Sequence, residues 1–167
     1  MEDILSMRNV VVTGAGGFLG GHLVKYFVSQ GANVIAVFHR EPAENFEHIS
    51  KRQTQKNELQ ARILPEHQSQ LTFFDGDITS HSDMSILFEE TQPDTLIHAA
   101  AFLVPPKESD YSDPLQYQQA NQRFIEINQG RILADCAAQY QQHHDLYCLL
   151  VSTGLWTKNR SNTGPSA

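Results

Sequence analysis

An open α/β sheet, parallel and wound with helices on both faces, is the architecture this sequence predicts, and three features carry the prediction. Residues 10–21, VVVTGAGGFLGG, compress a β-branched run, a glycine turn and a helix start into twelve positions. After one amphipathic helix, with Leu23, Phe27 and Val28 inward and Gly31 ending it, a second strand run, NVIAVF at 33–38, closes a βαβ unit of about 30 residues. Apolar strand runs and helical patterns then keep alternating as far as residue 151.

The glycine turn carries the chemistry. Gly14 permits a sharp exit from the first strand, Gly17 removes the side chain that would hold a pyrophosphate off the backbone, and Gly20 lets the first helix turn press on the strand. The helix N-terminus, with Phe18 and Leu19 in its opening turn, then aims free N–H groups and a positive dipole end at a phosphate. The spacing GxxGxxG resembles the short-chain dehydrogenase/reductase superfamily, and TGAGGFLGGHLV is most similar to its extended branch of epimerases, dehydratases and reductases. That resemblance implies a Rossmann-type sheet of five parallel strands in the order 3-2-1-4-5 and an NAD(P) coenzyme.

Coenzyme choice is usually decided after the second strand, where an acid suits NAD and a cation suits NADP. Here Phe38 ends the strand and His39, Arg40 and Glu41 follow. Arg40, with His39 beside it, could hold a 2′-phosphate, so NADP is favoured, while Glu41 and an ordinary solvated Arg40 keep NAD open. Residues 44–64 read as a helix or two, stopped by Pro65, and their Lys51, Arg52 and Lys56 read as a solvated face with no chemistry.

The third strand, 71–74, runs into Asp75, Gly76, Asp77, Ile78 and Thr79. The resemblance implies that Asp77 accepts from the adenine amino group while Ile78 packs on the ring; a turn or helix-cap role before residues 82–91 is the alternative for Asp77. The fourth strand, within 94–101, exits through His98, Ala99, Ala100 and Ala101. Small residues there let a dinucleotide lie against the backbone, and His98 reads as a structural hydrogen-bonding residue rather than a base.

Residues 102–112 form a loop where substrates would enter, and Asp113 with Pro114 starts a helix. Its buried stripe is expected at 120, 124, 127, 134 and 138. Asn128 and Gly130 fall on the extended branch's Asn and Gly, which implies a bracing role for the first and close packing on the sheet for the second. A fifth strand, 146–151, delivers Ser152 and Thr153. By resemblance Thr153, with Ser152 beside it, would hydrogen-bond a substrate oxygen.

Beyond 153 the match ends. The superfamily's Tyr-x-x-x-Lys pair lowers the tyrosine pKa so that the phenol can exchange a proton during hydride transfer. Four residues before Lys25, Lys51, Lys56, Lys107 and Lys158 stand Gly21, Glu47, Arg52, Leu103 and Gly154, and none is a tyrosine. The expectation is therefore a cofactor half, truncated before the substrate lobe: an NAD(P)-binding domain over 1–154 and a polar tail over 155–167. A non-catalytic dinucleotide-binding regulatory module is the second reading. A small-molecule substrate is expected only for a complete form, on the epimerase/dehydratase or 3β-hydroxysteroid dehydrogenase side.

Composition sets the outer bounds. A chain of 167 residues suits one domain, and its net charge of −7 argues against nucleic acid or an anionic membrane surface as partner. Two cysteines, Cys136 and Cys148, read as buried small residues in a reducing compartment. With a strand already begun at Asn9 and no membrane-length apolar run, a cytoplasmic location is expected, and no metal site.

Overall fold

Three consecutive valines, Val10, Val11 and Val12, suit a strand covered on both sides, and that is where they lie. In the computed structural model, which describes residues 8–41, 43–101 and 104–151, they are fully buried in strand β1 (Asn9–Thr13). β1 is the centre of a five-stranded parallel sheet, with β2 (Asn33–Phe38) on one side and β4 (Thr95–His98) on the other. β3 (Leu71–Asp75) and β5 (Tyr147–Leu150) form its edges, so the order is 3-2-1-4-5 as expected.

Each central strand has two covered faces and therefore runs apolar without alternating. Val10, Val12, Val34, Ala36 and Phe38 cluster with Val24 and Val28 of helix α1 (Phe18–Ser29) and Leu59 of helix α2 (Phe46–Ala61). Val11, Ile35, Val37 and Leu96 cluster on the opposite face with Met84, Leu87 and Phe88 of α3 (His81–Thr91), the helix after β3. The register Val10↔Val34 and Val12↔Ala36 keeps one helix layer on one set of residues, and Val11↔Ile35 keeps the other layer on the alternate set.

The C-terminal helical region differs from its expected form. Asp113 caps as anticipated, its Oδ1 accepting from the Leu115 N–H at 2.9 Å, but the helix is broken in two, α4 (Pro114–Gln129) and α5 (Arg131–Tyr140). Gly130 sits between them at φ +58, a left-handed conformation that ends α4 and turns the chain into α5. After that turn the buried stripe is Leu133, Cys136 and Ala137, whereas Ala134 and Ala138 are exposed. Cys148, expected to be buried, is exposed because β5 is an edge strand; Cys136 is buried. Pro65 begins a 3-10 turn (Pro65–Gln70) four residues after α2 has already ended at Ala61.

Candidate functional site

The three glycines of the first turn have three distinct surroundings. Gly14 leaves β1 at φ +71, and a Cβ there would lie 2.6 Å from the backbone nitrogen of Ala100, so the exits of β1 and β4 touch through it. A side chain on Gly20 would run into the carbonyl oxygen of Gly14, and that close approach seats α1 on the strand it follows. At Gly17, the residue capping α1, an added Cβ would meet only the Gly14 oxygen, at 3.2 Å. Gly17 is exposed, and what it leaves open is a cavity of about 480 Å³ over the carboxyl ends of the strands.

Most of the residues expected at a cofactor site line this cavity: Gly14, Gly17, His39, Asp77, Ile78, Ala99, Ala100 and Ala101. Gly20 lies buried behind it. The side chains of Phe18 and Leu19 do not line it; Phe18 is 86% exposed with its ring against His22. Their contribution is the backbone, since the first N–H groups of a helix have no partner within the helix. Ser152 and Thr153 lie outside the described residues.

Arg40 does not line the cavity in this structure. Its guanidinium turns away from the cavity, donating to the Asp75 carbonyl oxygen (Nη2, 3.1 Å) and pairing with Asp83 Oδ2 at 3.3 Å. The same Asp83 oxygen accepts from the Asp77 N–H at 2.8 Å, so in this structure Arg40 supports the turn that carries Asp77. A cation that does line the cavity is Arg52 of α2, which the sequence presents as part of a solvated face. Lys56 is no open charge either: it is 13% exposed, bonded to Asp75 at 2.6 Å, and near the Phe38 and Phe73 rings. His48, Arg52, Gln55 and the buried Leu59 fall on one face of α2, so helical spacing was the signal for this polar stripe.

A second unanticipated cation, Arg123 of α4, reaches the cavity from the other side. Its Nη2 donates to His39 Nε2 and to Asp77 Oδ2, each at 3.1 Å. Asp77 Oδ1 accepts from Thr79 N–H at 2.9 Å and Thr79 Oγ1 at 2.7 Å, so the turn role and the cavity position coexist in this residue. Burial pushes the Asp77 carboxyl up, but the two Thr79 bonds and the Arg123 guanidinium outweigh it and hold it below the usual carboxylate range. Of roughly four acceptor sites on a carboxylate, three are taken, leaving one for a donor in the cavity. Burial, and then the Arg123 charge, lower the His39 pKa. Arg123 sits among Ala120, Phe124 and Ile127 in the sequence, and a charge on that inward stripe was its signal.

His98 is structural, as its sequence context suggested. Its Nε2 lies 3.2 Å from the Ile127 carbonyl oxygen, which can only accept, so Nε2 carries the proton and Nδ1, at 2.7 Å, accepts from the Thr13 hydroxyl. Burial lowers its pKa and keeps it neutral. The ring ties β1, β4 and the end of α4 together below the cavity, and a Cβ on Gly130 would come within 2.9 Å of it.

A parallel doubly wound sheet with a glycine turn opening on such a cavity defines the class: a Rossmann-type nucleotide-binding domain of the short-chain dehydrogenase/reductase kind. The NAD dependent epimerase/dehydratase family matches residues 10–140, and this chain belongs to that family. The chain is 33% identical, over 97 residues, to the decarboxylating sterol-4-alpha-carboxylate 3-dehydrogenase ERG26 of Candida albicans. That match covers 58% of this chain and 24% of the relative, so the chain spans about a quarter of the relative's length. Among solved structures, a putative short chain dehydrogenase from Escherichia coli CFT073 complexed with NADPH superposes with a TM-score of 0.67 at 20% identity, covering 97% of this chain and 65% of that one. The Bordetella bronchiseptica enzyme WbmH in complex with NAD+ superposes at 0.50 with 23% identity, covering 81% and 36%. Among the described residues no helix is long and apolar enough to cross a membrane.

Proposed function

We propose that this chain is the NAD(P)-binding half of an extended short-chain dehydrogenase/reductase of the epimerase/dehydratase or hydroxysteroid dehydrogenase type. The observation that carries this reading is the open face of Gly17 at the N-terminus of α1, on a cavity that also holds Asp77 and Ile78. The pyrophosphate would lie against the Gly14–Gly17 backbone and the first N–H groups of α1, where a positive dipole end and unpaired donors favour an anion. Asp77 and Ile78 would take the adenine, and Ala99, Ala100 and Ala101 would leave room for the nicotinamide end. The coenzyme would supply hydride chemistry when bound. In this reading the chain alone does not turn over substrate, because no lysine has a tyrosine four residues before it to exchange the proton. Thr153 would position a substrate oxygen at most. Two free cysteines suit a reducing, cytoplasmic setting.

The test is a titration of the chain with NADH and NADPH, read by nicotinamide fluorescence, in parallel with Gly17→Val. Gly17 has φ −83 and ψ 170, a conformation any residue adopts, but a Cβ would press on the Gly14 carbonyl oxygen at 3.2 Å, so a thermal melt of the variant establishes that it is folded before its binding is read. Saturable binding in the wild-type chain and none in Gly17→Val is the expected result. No binding in either, or identical curves in both, would overturn the reading.

A further inference from the structure

Resting on that dinucleotide reading, we propose that Arg123 of α4 is a second base-reading residue: beside Asp77 it donates to the adenine ring nitrogen N7, so the two side chains recognise adenine by an acceptor and a donor set side by side. Arg123 and Asp77 both line the cavity, and their side chains are 42% and 24% exposed, so the pair opens on that space instead of being closed in the core. Ile127, one turn further along α4, lines the same space, so this face of the helix is the one turned to a ligand. The guanidinium is held from two elements. Its Nη2 donates to His39 Nε2, just after β2, and to Asp77 Oδ2, just after β3, each at 3.1 Å.

The chemistry follows from what those two bonds use. A guanidinium carries its N–H groups in a planar fork, and both bonds come from Nη2, so neither uses Nη1 or Nε. Arginine cannot accept, so His39 meets it with an unprotonated Nε2, and a neutral ring steadies the fork without repelling it. Thr79 and Arg123 take three acceptor sites of the Asp77 carboxylate and leave one for a donor in the cavity. Adenine presents an amino donor, N6, next to an acceptor, N7, whereas guanine presents two acceptors, O6 and N7, on the same edge. An acceptor at Asp77 beside a donor at Arg123 matches the first pattern, and it sets the O6 of the second against a carboxylate. An arginine by itself suits guanine. The bond from Arg123 to Asp77 is therefore what makes this arginine a reader of adenine.

The experiment is displacement of NADH from the full chain by ADP, 7-deaza-ADP and GDP, read by nicotinamide fluorescence, for wild type and Arg123→Leu. 7-Deaza-ADP keeps the amino group and lacks the N7 acceptor, so its deficit against ADP separates the Arg123 bond from the Asp77 bond. Wild type should bind ADP about tenfold more tightly than 7-deaza-ADP, the scale of one charge-assisted hydrogen bond, and should prefer ADP to GDP by at least as much. In Arg123→Leu, shown by a thermal melt to be folded, ADP should weaken until it and 7-deaza-ADP bind alike. A residue that only braced Asp77 would weaken both nucleotides by one factor, and an unchanged ratio in the variant would overturn the assignment. Equal binding of ADP and 7-deaza-ADP, or of ADP and GDP, by the wild-type chain would overturn it without any variant, while leaving the dinucleotide site standing. Failure of the wild-type chain to bind NADH would remove the site itself, and the assignment with it.

Discussion

His98 shows how one buried side chain can be read from its bonds. Its proton sits on Nε2 toward Ile127 and its other nitrogen takes the Thr13 hydroxyl, so the neutral ring satisfies both partners. Protonation would place a second donor opposite Thr13 in a buried site, and burial accordingly lowers the pKa from 6.5. The unfolded chain then binds a proton before the folded one does. This contribution to stability is complete above pH 6.5 and is lost as pH falls below it, with a slope of up to about 1.4 kcal/mol per pH unit until the lowered pKa is reached. Urea midpoints at pH 7.5, 6.5 and 5.5 should fall for the wild-type chain, and His98→Gln should flatten the decline; a decline of the same steepness in the variant would remove His98 as its source. At this scale the sequence was legible where a residue's place follows from its neighbours: Gly14 and Gly20 make the close approaches expected of them, and Gly17, Asp77 and Ile78 line one cavity. It was not legible at Arg40, because the direction of a guanidinium depends on Asp75 and Asp83, more than thirty residues away.

Among the elements, the β strands were the most legible, since a strand covered on both faces announces itself by an unbroken apolar run. The bounds of β2 match their expected 33–38, and β3 and β5 are within one or two residues. The helices were read with less success for a physical reason: helical periodicity continues through a glycine on paper, while the left-handed turn at Gly130 rotates everything after it. That turn is held from two sides, by its φ of +58 and by the His98 ring 2.9 Å from where a Cβ would stand. Gly130→Ala should therefore destabilise the chain by about 1–3 kcal/mol, the cost of a left-handed non-glycine residue, with the ring clash pushing toward the upper end. Chemical denaturation measures it, and an unchanged midpoint would show that α4 and α5 can join without the turn. Helix α2 was undervalued because its surface is mostly solvated; the stripe from His48 to Gln55 is what faces the cavity.

For the molecule as a whole, strand order places the cavity. Sequence neighbours diverge to opposite sides of β1, so β2 and β4 leave a crevice at their carboxyl ends, and ligands of open α/β sheets bind at such a point. Gly14 brings the two exits into contact there, and α1 points its N-terminus at the same place. A second depression, between α5 and the edge strand β5, is lined by apolar residues such as Leu133, Ala137, Leu149 and Leu150, with none of the glycine-turn residues. The cofactor site is put to the test by following the backbone amide resonances of the isotope-labelled chain as NADH is added. Shifts concentrated in residues 14–20, 39–41, 76–78 and 99–101 are the predicted result. Shifts confined to residues 133–138 and 148–150, or none at saturating coenzyme, would contradict it.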